Sequence, residues 1–233
     1  MSAPSDLLVE PTTNQERGFT AWPLWLALTG LLGVASTVAF DKRVDADGDF
    51  DYPVTVADMA DLDHLFFRIG GFTGYLTVIA MLVTAAVWRQ RVERRHPWSV
   101  GATVVTFGLV SAAGAMALVY GWKGALGNYL HGAAEENTYD DQGLYVLYNI
   151  NDFGPYFAWL PVLVAALGLA YMAFREGLVS KVLGFFAGLM AVLLLGMVAV
   201  TGVPGLPALI SVGVLIAGIW LAVGRSAITQ EEK

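Results

Sequence analysis

The sequence predicts an all-α polytopic membrane protein: a transmembrane six-helix bundle with both termini cytoplasmic and structured acidic extracytoplasmic loops. Three observations carry that prediction. The 233-residue chain is 56% hydrophobic and only 14% charged, outside the usual range of soluble domains. Six apolar stretches, Trp22 to Phe40, Ile69 to Trp88, Trp98 to Trp122, Phe153 to Phe174, Val182 to Thr201 and Leu206 to Val223, each approach the ~20 residues needed to cross a bilayer. The charges between these stretches fall on two unequal sides.

Taken in order, residues 1–20 are polar, lack aliphatic periodicity and hold Pro11, Thr12, Thr13 and Asn14, which reads as a disordered cytoplasmic tail. The apolar stretch that follows is too long for a signal-peptide core, so the first helix should stay attached. The first connection contains Asp45, Asp47, Asp49 and Asp51, whose two-residue spacing suits hard-oxygen coordination of calcium. The pattern departs from a calcium loop at Phe50 and Val56, which stand where a Gly and a bidentate Glu belong. A hydrated acidic loop is the competing reading. Thr55 and Asp58 have capping-box spacing and predict a second helix from about Val56 to Arg91, roughly 50 Å long. Thr138 and Asp141 repeat the spacing and predict a short helix over Leu144 to Tyr148, lying across the bundle mouth.

Pro161 should kink the fourth helix. The charge-free run from Val182 to Gly224 must be a hairpin, broken at Gly202-Val-Pro204-Gly-Leu-Pro207. Residues 21–225 thus form the membrane domain, and 226–233 read as a cytoplasmic C-terminal tail. Gly70 with Gly74 and Gly184 with Gly188 have the spacing that lets helix backbones approach closely, and packing within the chain is the favoured use.

Alternate connections carry nine Lys and Arg on one side, dominated by Arg89, Arg91, Arg94 and Arg95, against four on the other with thirteen Asp and Glu. Short arginine-rich connections mark the cytoplasmic face. The acidic face is then extracytoplasmic. With no cysteine, disulfides, thiol catalysis and Cys-ligated metal are excluded. Nothing points to nucleic acid, and the bilayer is the first expected partner.

Asp61, His64, Arg68 and Tyr75 fall at helical spacing on one face, with Asp152 and Glu135 as candidate partners of Arg68, and they form the best ligand or partner site. His64, His131, Glu135, Asp140 and Asp141 hold donors suited to a divalent metal on the extracytoplasmic side, although a solvated acidic loop explains them equally. The same His64 and His131 invite a haem reading, for which a second pair at the inner face is missing. The apolar stretches lack ionisable residues in their middles, which argues against ion-coupled transport but leaves room for a neutral-solute permease. No nucleophile or phosphate-loop motif occurs. The favoured function is therefore a non-enzymatic accessory, sensor or binding role through the acidic cap, with an extracytoplasmic ligand or a membrane partner protein. A small-solute permease and a metal or haem redox protein are the alternatives.

The last third, from Lys181-Val-Leu-Gly-Phe-Phe-Ala-Gly through Gly202-Val-Pro-Gly to Ile219-Trp-Leu-Ala-Val-Gly-Arg225, resembles the closing helix pair of uncharacterised six-helix membrane protein families of actinobacteria. The resemblance implies six spans and a prokaryotic plasma membrane. It implies no activity.

Overall fold

The computed structural model describes residues 19–40, 53–202, 206–224 and 226–230. The acidic run Asp45, Asp47, Asp49 and Asp51, most of the N-terminal segment and the centre of the Gly202 to Pro207 break lie outside the described residues. Those described are all-helical, with no strand among them. α1 (Leu24–Val34) ends in a π-helical turn at Ala35–Ala39. A 3-10 turn at Val56–Asp61 precedes α2 (His64–Trp88), and α3 (Val100–Tyr129) follows. α4 (Asp141–Ala158) runs almost directly into α5 (Leu160–Tyr171), and α6 (Lys181–Thr201), α7 (Pro207–Val223) and the short α8 (Ala227–Gln230) complete the chain.

Four continuous helical segments, His64–Glu93, Val100–Tyr129, Asp141–Glu176 and Lys181–Thr201, are long and apolar enough to cross a membrane. Two shorter apolar helices, Leu24–Ala39 and Pro207–Val223, accompany them. These two pack on each other along their length, because Gly30 lies against the backbone of Leu215 and Gly218 against the backbone of Ala27. A side chain at either glycine would force the pair apart. The most extensive packing is of α2 on α3; α5 packs on α3, and α6 on α5.

The local signals act somewhat differently from expectation. Thr55 and Asp58 do form a capping box, but the helix they start is a short 3-10 helix that ends at Asp61. Asp63 then caps α2 by accepting from the Leu65 amide at 2.8 Å. Asp140, rather than Thr138, caps α4, accepting from the Gly143 amide at 2.8 Å. The predicted short mouth helix is the first part of α4 itself, and the break in the fourth apolar segment falls at Trp159. Pro161 sits in the first turn of α5, where a missing N–H costs no hydrogen bond.

Residues 226–230 dock rather than trail. Thr20 donates its N–H to the Ala222 carbonyl at 3.1 Å and its hydroxyl to Thr229, while the Ile228 amide reaches the Leu178 carbonyl. Ser99 caps α3 and donates to Glu176 at 2.5 Å, and Trp88 Nε1 reaches the Ala102 carbonyl at 3.0 Å. These bonds close the end that carries Arg89 to Arg95, here called the arginine end. At the opposite, cap end, Met59, Leu62, Phe67, Leu126, Leu130, Leu144 and Tyr148 form a hydrophobic core separate from that of the bundle. Tyr145 clamps this cap with a hydrogen bond to the Val54 carbonyl. Burial of a second apolar cluster gives the cap a fixed shape.

Candidate functional site

Below the cap, α3 buries a lysine. Lys123 is 0% exposed, and its ammonium donates to the Ser36 carbonyl at 2.9 Å. That carbonyl is available because α1 ends in a π turn: the Phe40 amide bonds to Ala35, five residues back, so Ser36 loses the partner that an α-helix would supply. Gly70 on α2 makes room for the lysine stem, since a Cβ there would lie 2.7 Å from Lys123 Cε. One turn back on α3, the Tyr120 hydroxyl accepts from Ser36 Oγ at 2.8 Å and from Trp159 Nε1 at 3.4 Å. Gly74 lies against the Tyr120 ring, so the Gly70 and Gly74 pair serves packing inside the chain. Gly184 likewise packs against Ala173.

Asn151 completes this layer. On antiparallel α3 and α4, Gly154 meets Val119, and Leu130 and Leu144 share the cap core. One turn toward the cap from the Gly154 contact, Lys123 and Asn151 therefore stand at the same level. Asn151 is 2% exposed, and its Oδ1 has no hydrogen-bond partner. An unmatched amide oxygen in a protein interior is costly and calls for an explanation. Beside it on α4, Asp152 and Tyr156 line a cavity of about 140 Å³ with Thr37, Pro155, Leu206 and Pro207. Walls of mixed polarity and that volume suit a few waters or a small molecule.

The residues singled out from sequence are distributed around this layer. Asp61 belongs to the 3-10 turn and is set off from α2 by the break at Leu62 and Asp63, so Asp61, His64, Arg68 and Tyr75 do not share one helix face. Arg68 is exposed, and its guanidinium donates to the Gly127 carbonyl at 3.1 Å, not to Asp61, Asp152 or Glu135. Tyr75 is exposed on the flank of α2, its hydroxyl beside Gly121. Asp152 is half-buried at the cavity wall.

The metal candidates meet only in part. His131 Nε2 lies 3.1 Å from an Asp141 carboxylate oxygen, and the His64 ring stands beside Gly132. Glu136 accepts from the Gly132 amide, and Asp140 is occupied as the α4 cap. Residues 130–140 are turns rather than helix, with Gly132 and Asn137 in the left-handed region, so the i,i+4 relation of His131 and Glu135 does not apply. Among the described residues, no three His, Asp or Glu side chains converge into a metal-sized group.

Sequence reasoning missed Lys123 and Asn151. Lys123 stands next to Trp122, the last residue of an apolar stretch, and so reads as part of the connection beyond it. The available signal was the following Gly124-Ala-Leu-Gly127, still apolar and helical, which carries α3 two further turns to Tyr129.

No curated protein and no solved structure matches the chain. A family model described as a domain of unknown function, DUF4386, matches residues 20–224, from the first docked residue to the end of α7. This membrane-embedded helical chain therefore belongs to the DUF4386 family.

Proposed function

We propose that the protein is a six-span plasma-membrane protein of a prokaryote, with both termini cytoplasmic, that binds a small polar ligand from the extracytoplasmic side in the layer beneath its cap. The burial of Lys123 carries this reading. A lysine held inside an apolar bundle is expensive, and such residues generally mark sites of function. The Tyr120 hydroxyl, one turn away on α3, and the Asn151 amide, at the same level on α4, are suited to orienting a small molecule with acceptor and donor groups. The cap supplies a fixed roof, and its His131 and Asp141 pair lies at the rim. This reading lets the two shorter apolar helices cross beside the four long spans, and the arginine-rich connection then favours a cytoplasmic arginine end and cytoplasmic termini by the positive-inside rule. No step in this role requires chemistry, so sensing or accessory binding is favoured over catalysis. A divalent metal, if bound, would use His131 and Asp141 at the rim, and the buried layer does not depend on it.

A thermal-shift panel of small carboxylates, phosphates, amino acids and neutral osmolytes on the purified chain tests the reading. At least one class should raise the melting midpoint of the wild type and leave Lys123→Met unmoved. A panel with no shift, or equal shifts in both proteins, counts against it. Uptake into proteoliposomes separates the permease alternative, since a binding protein gives saturable binding without flux.

A further inference from the structure

The arginine end holds an opening of different character. A crevice is walled by Leu26, Val105, Leu169, Phe186, Met190 and Val214 and is almost wholly apolar. It lies where α6 packs on α5 and α7 on α1, while α6 and α7 touch each other only sparsely. The outward faces of those two helices, with Phe185 and Leu189 on α6 and Ile216 and Ile219 on α7, are exposed and apolar. Met190 on α6 meets Gly213 on α7 across this seam, and both line the crevice.

Two indole rings line this space. Trp88 Nε1 is satisfied by the Ala102 carbonyl. Trp22, whose ring meets that of Trp88 edge-on at 6.0 Å, is 9% exposed, and its Nε1 is buried with no acceptor. The crevice thus has hydrocarbon walls beside one unspent donor. That donor belongs to a residue at the start of α1, at the same end as Arg89, Arg91, Arg94 and Arg95.

We propose that this crevice binds an acyl chain of an anionic phospholipid drawn from the leaflet at the arginine end. The chain lies against the apolar walls, an ester carbonyl accepts from Trp22 Nε1, and the phosphate stays outside near the arginines. Each part of the lipid answers a feature of the protein. Hydrocarbon suits walls with almost no polar atoms. An ester carbonyl is an acceptor with no proton of its own, and it resides at the interfacial depth where tryptophan rings settle. A negative headgroup is drawn to a cluster of arginines at the membrane surface.

The test reconstitutes the full chain in phosphatidylcholine vesicles containing a minor fraction of phosphatidylglycerol with a mid-chain diazirine, followed by photolysis and peptide mapping. Adducts should concentrate on Phe186, Met190 and Val214. Trp22→Phe keeps the ring but removes the N–H, and it should lower those adducts about five-fold. Ala187→Phe narrows the crevice and should abolish them. Adducts spread evenly onto the outward residues Val192 and Leu193 would overturn the proposal, as would crevice labelling unchanged by Trp22→Phe. Should Ala187→Phe fail to fold, the conservative Trp22→Phe variant decides alone.

Discussion

At the arginine end, polar groups at the helix ends are tied to one another, Ser99 and the Gly101 amide on Glu176, Thr106 on Glu93, and Thr20 on Ala222 and Thr229, while the Trp22 indole N–H is left unmatched. At the cap end, Lys123 is drawn fully inside and Asn151 is buried with an unmatched oxygen. The helices are thus fastened by capping bonds at one end and enclose a lysine ammonium and a primary amide at the other. An ammonium buried inside an apolar bundle makes the cap end the one to test for binding.

The comparison is sharpened by substitutions at each end. The largest effect on stability should come from Trp88→Ala at the arginine end, which deletes a fully buried ring and its bond to Ala102 and should cost about 3–5 kcal/mol by denaturation in detergent. Gly70→Val at the cap end should cost less, about 1–3 kcal/mol, because it overpacks the lysine stem, and it should also abolish ligand-dependent thermal shifts. Glu176→Gln weakens the charge-assisted bonds at the start of α3 and should cost about 1 kcal/mol with ligand shifts intact. His131→Ala, on an exposed pair, should change stability by under about 1 kcal/mol. If Glu176→Gln removed ligand shifts while Gly70→Val spared them, the functional contrast between the ends would be reversed.

Much of the helical layout could be read from residues, because it depends on local chemistry. The Arg89 to Arg95 connection, the capping box at Thr55 and Asp58 and the close approach at Gly70 and Gly74 all appear as written in the sequence. The Thr138 signal failed because Asp140, two residues on, offers a carboxylate at the position where the α4 amides point. The buried layer was hidden for a different reason. Lys123 looks like a loop charge on a linear map, and only tertiary packing shows that α3 continues past it and that a π turn on α1 frees a carbonyl to receive it. Asn151 gave no signal at all, since one amide between Ile150 and Asp152 is unremarkable until the buried face of α4 is known. The expected carboxylate partners of Arg68 were plausible by level, but the nearest acceptor proved to be the backbone of Gly127.

The chain has no cysteine, so one introduced thiol reports on the buried layer without interference. Asn151→Cys in sealed cells, treated with a small anionic and membrane-impermeant methanethiosulfonate, should be modified from outside, and adding Lys123→Met should slow the reaction about five-fold through loss of electrostatic attraction. A thiol that stays silent from outside and reacts only after the inner face is opened would contradict the account.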